Sequence, residues 1–453
     1  MGGSAVRVYH SGRRVTLIMK PIQSPAGRTR LRAAATLLAL AFPAAVPGFA
    51  ADSWLQWGGP RRDFKTTADA LAAWPDTGPE VVWSRDLGPG YSTVLAERGR
   101  LYTMYRRDDH EVLVAIDAAS GNSIWEYAYR APVHEKQSRD YGTGPNATPL
   151  LLGDRIYTVG FGSLAHAIDT KTGRLLWSHD LIKEHDGQVL TFGHSSSPIA
   201  YDGMVVFLVG GDRHAAVGYD LADGSLRWTS EPSPIGYSSP IIIEVGGEEQ
   251  LVFMTPDEVV GVGLKDGAFK WRRHHENQYR TNCSSPWWGD DDLLFVSSHG
   301  DAGSRTLRLR LVEGKTVVEE IAANRSVKIF HNTALRVGDH VYGTTGTRLV
   351  AHNIRSGEIA WVEDGYPEAN LLLIGEGRVI WLDENGRLGM GTISPRGFSP
   401  LAEHQVLERP AWTAPTLVGS RLYLRDTRRI VALELGTPTA APGGARPVAP
   451  PTR

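Results

Sequence analysis

The 453-residue chain contains a single cysteine, Cys283. One thiol excludes an intramolecular disulfide and a structural zinc site of the multi-cysteine kind. Its expected setting is a small, partly buried position, since a reactive thiol needs an electropositive, accessible surrounding. No run of Lys and Arg is present and the formal net charge is −2. Residues 1–50 hold seven basic residues and no acidic one, so a chain without them carries −9. That balance argues against a nucleic-acid partner, which needs a concentrated basic face. The i, i+3, i+4 spacing of amphipathic helices is missing, and so are the G-x-S-x-G elbow, the H-E-x-x-H helix and a phosphate-cradling glycine loop.

What is present is repetition. Ala115, Asp117, Gly121 and Trp125 follow the form A-x-D-x-x-x-G-x-x-x-W. The form returns at Ala167, Asp169, Gly173 and Trp177, and again at Gly218, Asp220, Gly224 and Trp228. Worn copies stand at Gly261, Gly263, Gly267, Trp271 and at Ala351, Asn353, Gly357, Trp361. Each copy reads as a short strand, an Asp that bonds turn amides, a Gly in the left-handed region of a bulged hairpin, and a strand carrying a Trp. The Trp is large enough to fill the seam between neighbouring repeats. A period of roughly 40–50 residues marks a propeller or solenoid, in which one repeat cannot bury its own apolar face.

Eight innermost strands are expected, at 92–96, 148–152, 197–201, 239–243, 285–288, 333–337, 369–374 and 413–418. Two cassettes have decayed, at Arg308, Arg310, Gly314, Val318 and at Gly391, Ile393, Gly397, Leu401. The last repeat ends at Val431-Ala432-Leu433-Glu434 without its Trp strand, whereas Glu80-Val81-Val82-Trp83 precedes the first full repeat. The expectation is therefore an all-β, eight-bladed propeller over residues 80–436, closed by the N-terminal strand joining the C-terminal blade.

Arg28, Arg30 and Arg32 precede the apolar stretch Ala33–Val46, which is too short to span a bilayer and leads to Gly48-Phe49-Ala50. Residues 1–50 read as a secretory signal cleaved after Ala50, with Met19 as the expected true start. The mature chain is expected to be exported, periplasmic or secreted, without a transmembrane segment, and monomeric. Residues 51–79 are expected as an irregular strap across the surface, and the Ala/Pro-rich residues 437–453 as a disordered tail.

These repeats resemble the bacterial pyrroloquinoline-quinone-like β-propeller proteins, over about residues 54–436. The opening Trp54-x-Gln56-Trp57 with Gly59-Pro60-x-Arg62-Asp63, and the segment Tyr141–Pro149, resemble the exported branch of that family. The resemblance implies a propeller but not one function, because the family includes quinoprotein dehydrogenases and non-enzymatic scaffolds such as the outer-membrane β-barrel assembly lipoprotein. Its dehydrogenases hold the quinone between a Trp and a disulfide of adjacent cysteines, with a calcium ion and an Asp base. Cys283 stands alone, so that pair is impossible. A non-catalytic binding or assembly scaffold, without cofactor or metal, is the favoured reading. The alternative is a quinone- and calcium-dependent dehydrogenase acting on alcohols or sugars.

The remaining clusters have plain explanations. Asp290-Asp291-Asp292 lacks the ligand-plus-glycine spacing of a calcium loop and sits where other blades turn. His274-His275 point to opposite faces of a strand and are expected at the surface. Ser195-Ser196-Ser197-Pro198 repeats as Ser238-Ser239-Pro240 and Ser284-Ser285-Pro286, as a structural strand entry would. Long polar connections from each outer strand to the next innermost strand converge on one funnel face, the usual place for binding groups. Arg139, Tyr141, His194, Tyr237 and Asn282 are candidate ligand- or partner-binding residues there. Lys328, His331, Asn370 and Trp412 complete the set. A protein partner in the cell envelope is the expected ligand, with a small molecule in the funnel as a further option.

Overall fold

The computed structural model describes residues 53–436 except 68–70, 72, 290, 333 and 376. The signal segment, the tail and Asp290 thus lie outside the described residues. Thirty-three strands form eight sheets, seven of four strands and one of five. Each blade has four antiparallel strands from an innermost to an outermost one, seven of them as meanders of consecutive strands, and the expected eight blades are all present.

Burial along a blade follows from its place in the ring. Middle strands such as Arg100–Arg107 and His110–Asp117 are buried at nearly every position, because a neighbouring blade covers each face. The outer strand Ser123–Arg130 instead alternates, as an edge facing water should. All eight outermost strand pairs, seven hairpins and one closing pair, carry a register shift; in the decayed pairs it falls at Leu401, where the cassette places its Trp, and at Ile321, three residues beyond Val318. The bulge therefore persists where the Trp does not.

The cassette residues act between blades. Asp117 Oδ1 accepts from the Ser120 amide at 2.8 Å, and Asp169 Oδ1 accepts from the amides of Lys171 and Thr172. Asp220 Oδ1 accepts from the Ala222 amide in the same way. Trp83, Trp125 and Trp177 each lie on the cassette glycine of the next blade. A Cβ on Gly121 would stand 2.8 Å from the Trp83 ring, on Gly173 2.7 Å from Trp125, and on Gly224 2.7 Å from Trp177. The indoles of Trp83, Trp125 and Trp361 also donate across the seam, to the carbonyls of Ala118, Thr170 and Ser394. The later blades depart from this, beginning with the well-formed copy that ends at Trp228. Trp271 turns to Gln250 of its own blade, Trp228 packs within its core cluster, and the chain approaches Gly267 and Gly357 with backbone or a methyl group rather than an indole.

Glu80–Asp86 pairs antiparallel with Arg429–Glu434, which is the expected closure. Buried Arg425 staples the same junction, donating to the carbonyls of Met104 and Gly88 and to Thr103 Oγ1.

The strap departs from expectation. It enters the central channel rather than lying on the surface. Trp54 is fully buried and bridges Ala96, and Lys65–Thr66 adds a parallel fifth strand beside Leu373–Ile374. Arg62 donates to the carbonyls of Pro198 and Pro240, tying the strap to two blades at once. The physical reason is pairing: the innermost strands leave carbonyls at Pro198 and Pro240 and a free edge at Leu373–Ile374 that the strap satisfies. The connection at 178–196 holds a short helix, Leu181–His185, capped by Asp180.

Candidate functional site

The triple-serine pattern sets the inner wall. The Ser197 hydroxyl accepts from the Thr148 amide, and the Ser239 hydroxyl accepts from the Ser197 amide, each at 3.0 Å. Ser196 donates to the Ser238 carbonyl at 2.7 Å. One blade's hydroxyl thus satisfies the next blade's backbone at the point where the innermost strands begin, and the pattern is structural, as expected from its repetition.

Above this wall opens a cavity of about 670 Å³, ordinary for a small-molecule site. Trp57 of the strap forms part of its lining and donates to Ser285 Oγ. A second cavity of about 420 Å³, lined by Gln56, Arg61, Arg62 and Trp287, lies against the other side of the strap, which therefore divides the channel.

Aromatic rings form a collar around the larger cavity. Trp412 lies 5.3 Å from Tyr91, 5.9 Å from Tyr141 and 4.8 Å from His331, between ring centroids. Tyr141 continues to Phe192 and Phe192 to Tyr237. From His331 the contacts run through Phe330 to His299, which stacks flat on Tyr279 at 4.8 Å. These rings come from connections separated by tens of residues, and the ring of blades brings them together.

Of the nine candidates, Tyr141, Tyr237, His331 and Trp412 line the cavity. Arg139 is exposed outside the lining, and Lys328 is half-buried with its backbone amide on Thr345 Oγ1. His194, Asn282 and Asn370 are buried braces. His194 bonds the Ser196 carbonyl, Asn282 donates to the Thr255 carbonyl, and Asn370 donates to the Trp412 carbonyl at 2.9 Å. Tyr91, Phe192, Tyr279, His299 and Phe330 were not among the candidates. Their signal was an aromatic residue within or beside the same long connections.

Every lining group is neutral in type or is held neutral. No Lys, Arg, Asp or Glu among the described residues lines the cavity. Burial pushes His331 down to about 4 and lowers His299, and burial pushes the Cys283 thiol and the Tyr91 phenol up to about 12. Behind Trp412, the Glu384 carboxylate accepts its indole proton at 3.3 Å and also faces Arg409. Burial first, and then the Glu384 charge, push Glu368 up to about 8; it accepts from Asn332 at 3.0 Å.

One sequence reading holds here and one changes. Asp291 lies in the expected turn, where Arg336 and Arg355 of the next blade pair with it. His275, expected at the surface, is fully buried against Ser298 and held down to about 3, because the chain folds inward after Trp271. His274 is exposed. No cluster of three or more His, Cys, Asp or Glu suited to a metal occurs among the described residues. The residues do not fit a polycarboxylate quinone with its calcium, since the lining offers no cation to the carboxylates and no carboxylate to the metal.

A family model described as outer membrane protein assembly factor BamB matches residues 67–193 and 139–363. A protein of that name from Yersinia pestis is 22% identical over 293 residues, covering 61% of this chain and 71% of its own length. The dehydrogenase subunit of a quinone alcohol dehydrogenase from Komagataeibacter europaeus is 26% identical over 143 residues, which is 30% of this chain and 19% of that protein. Among solved structures, quinohemoprotein alcohol dehydrogenase from Comamonas testosteroni aligns with a TM-score of 0.63 at 13% identity, covering 89% of this chain and 84% of its own. BamB from Moraxella catarrhalis aligns at 0.54 and 14% identity, covering 79% and 100%. Among the described residues no helix is long and apolar enough to cross a membrane.

Proposed function

We propose that this chain, which belongs to the β-propeller family described as outer membrane protein assembly factor BamB, is an exported, non-catalytic scaffold that captures a protein partner in the cell envelope on its funnel face. The observation that carries the reading is the chemistry of the collar. It offers exposed aromatic area, in Tyr141 and Tyr279 above all, and no charged acid, base or nucleophile facing the cavity among the described residues. Aromatic side chains dominate interfaces because they join apolar area to directed polar tips. A general acid–base site needs titratable groups poised near the working pH, whereas His331 is held down to about 4, the Cys283 thiol is pushed up to about 12, and burial lowers His299 as well. The two relatives' names, assembly factor and alcohol dehydrogenase, divide on this point, and the collar favours the first.

The test mixes purified protein with pyrroloquinoline quinone and calcium and follows bound chromophore and dye reduction with alcohols and sugars. The scaffold reading expects neither stoichiometric quinone binding nor turnover. Binding with turnover would replace it by the dehydrogenase reading.

A further inference from the structure

The cavity beneath the collar has two properties that a protein-docking rim does not require. Its walls are aromatic faces, yet its floor carries polar hydrogens with nowhere to go. Ser197 and Ser239 each accept a backbone N–H, and Ser285 accepts the Trp57 indole proton, but none of the three hydroxyls donates to another of the described residues. His331 adds a buried Nε2 without a partner. A purely apolar ligand would leave these groups desolvated and unpaired, at a cost for each. An anion would find no cation in the lining, and a cation no carboxylate. What suits both surfaces is an uncharged ring with apolar C–H faces and hydroxyls at its edge.

We propose that the funnel cavity binds a neutral saccharide, with a pyranose ring stacked on Trp412 and Tyr141 and its hydroxyls met by Ser197, Ser239 and Ser285. This goes beyond the partner-capture role and uses the cavity below the rim. Tyr141 and Tyr279, 55% and 58% exposed, are the most exposed aromatic rings among the described residues, and both stand at this mouth. Ring faces turned to water are expected where a ligand face covers them. The volume of about 670 Å³ accommodates a disaccharide. No bond is made or broken, since no group in the lining is poised to move a proton.

The experiment titrates the purified mature protein with cellobiose, maltose and N,N′-diacetylchitobiose, reading tryptophan fluorescence and calorimetry. Galacturonate serves as the charged arm and indole as the apolar arm. At least one neutral disaccharide should saturate the signal with a Kd below about 1 mM, and at least about tenfold more tightly than galacturonate or indole. Trp412→Ala should weaken that binding at least about tenfold. Because Trp412 also bonds Glu384, Tyr279→Ala supplies a variant at an exposed position, where weaker binding at an unchanged melting temperature is expected. No saturable binding by any of the three disaccharides, or equal binding of indole, would overturn the proposal. So would full binding in both variants. None of these outcomes bears on capture of a protein partner, which is read separately.

Discussion

Five buried histidines set the response of this protein to acid. His166, His194, His331 and His352 are held down to about 4, and His275 to about 3, with burial as the first cause in each. In the unfolded chain they titrate near 6.5, so the unfolded state takes up protons first. Their stability contribution is therefore present above pH 6.5 and is lost as pH falls toward 4. Glu368 acts in the opposite sense. With its folded value raised to about 8, its contribution is present below its unfolded value and is lost as pH rises through 8. Melting curves from pH 4.5 to 9 should show a maximum near neutrality. Glu368→Gln should flatten the alkaline fall, raising the midpoint at pH 8.5 by a few degrees. A wild type as stable at pH 4.5 as at pH 7 would contradict the histidine account. An unchanged alkaline slope in the variant would contradict the assignment to Glu368. Two glycines isolate the docking contact. Gly173 and Gly314 both have φ near +70°, but an added Cβ meets the Trp125 ring at the first and open space at the second. Gly173→Ala should cost about 1–3 kcal/mol more than Gly314→Ala in chemical denaturation. Equal losses would show that the Trp–Gly contact does not hold the blades.

At the scale of elements, the blades were legible because each is punctuated by the same chemistry. The Asp, the glycine and the Trp mark one hairpin, and counting from hairpin to hairpin placed the innermost strands within a few residues of Leu95–Glu97, Leu150–Leu152 and their successors. The strap was not legible in depth. Nothing local in Trp54–Thr66 says whether it lies over a ring or within one, because its partners are Ala96, Pro198, Pro240 and Leu373 of four different blades. The collar was half legible for the same reason. Tyr141 and Trp412 could be picked from their connections, but their contact depends on the curvature of the whole ring. Strap insertion makes its own prediction. Arg62 is half-buried, and desolvation lowers it to about 9, with its charge resting on neutral carbonyls. Arg62→Ala should loosen Gln56–Thr66, seen as faster amide hydrogen exchange there, while the middle strands of the blades keep their protection. Exchange rising equally throughout would mean that the strap is part of the global fold rather than a separable element.

For the whole molecule, closure determines what the ring can present. Glu80–Asp86 completes the last blade and Arg425 locks the same seam, so every blade is fixed against two neighbours and the connections at the mouth are held in register. A rigid ring with variable connections on one face is a platform for binding, and its outer rim serves as a built-in comparison. Leu226 on that rim is 52% exposed and Tyr141 at the mouth is 55% exposed, so accessibility alone does not distinguish them. The most direct test of the scaffold account places a photo-reactive phenylalanine at position 141 or at position 226 and irradiates cells making the protein. The account predicts discrete heavier protein adducts from position 141, lost when Trp412→Ala is added, and none from position 226. Adducts from position 226 with none from position 141 would contradict it.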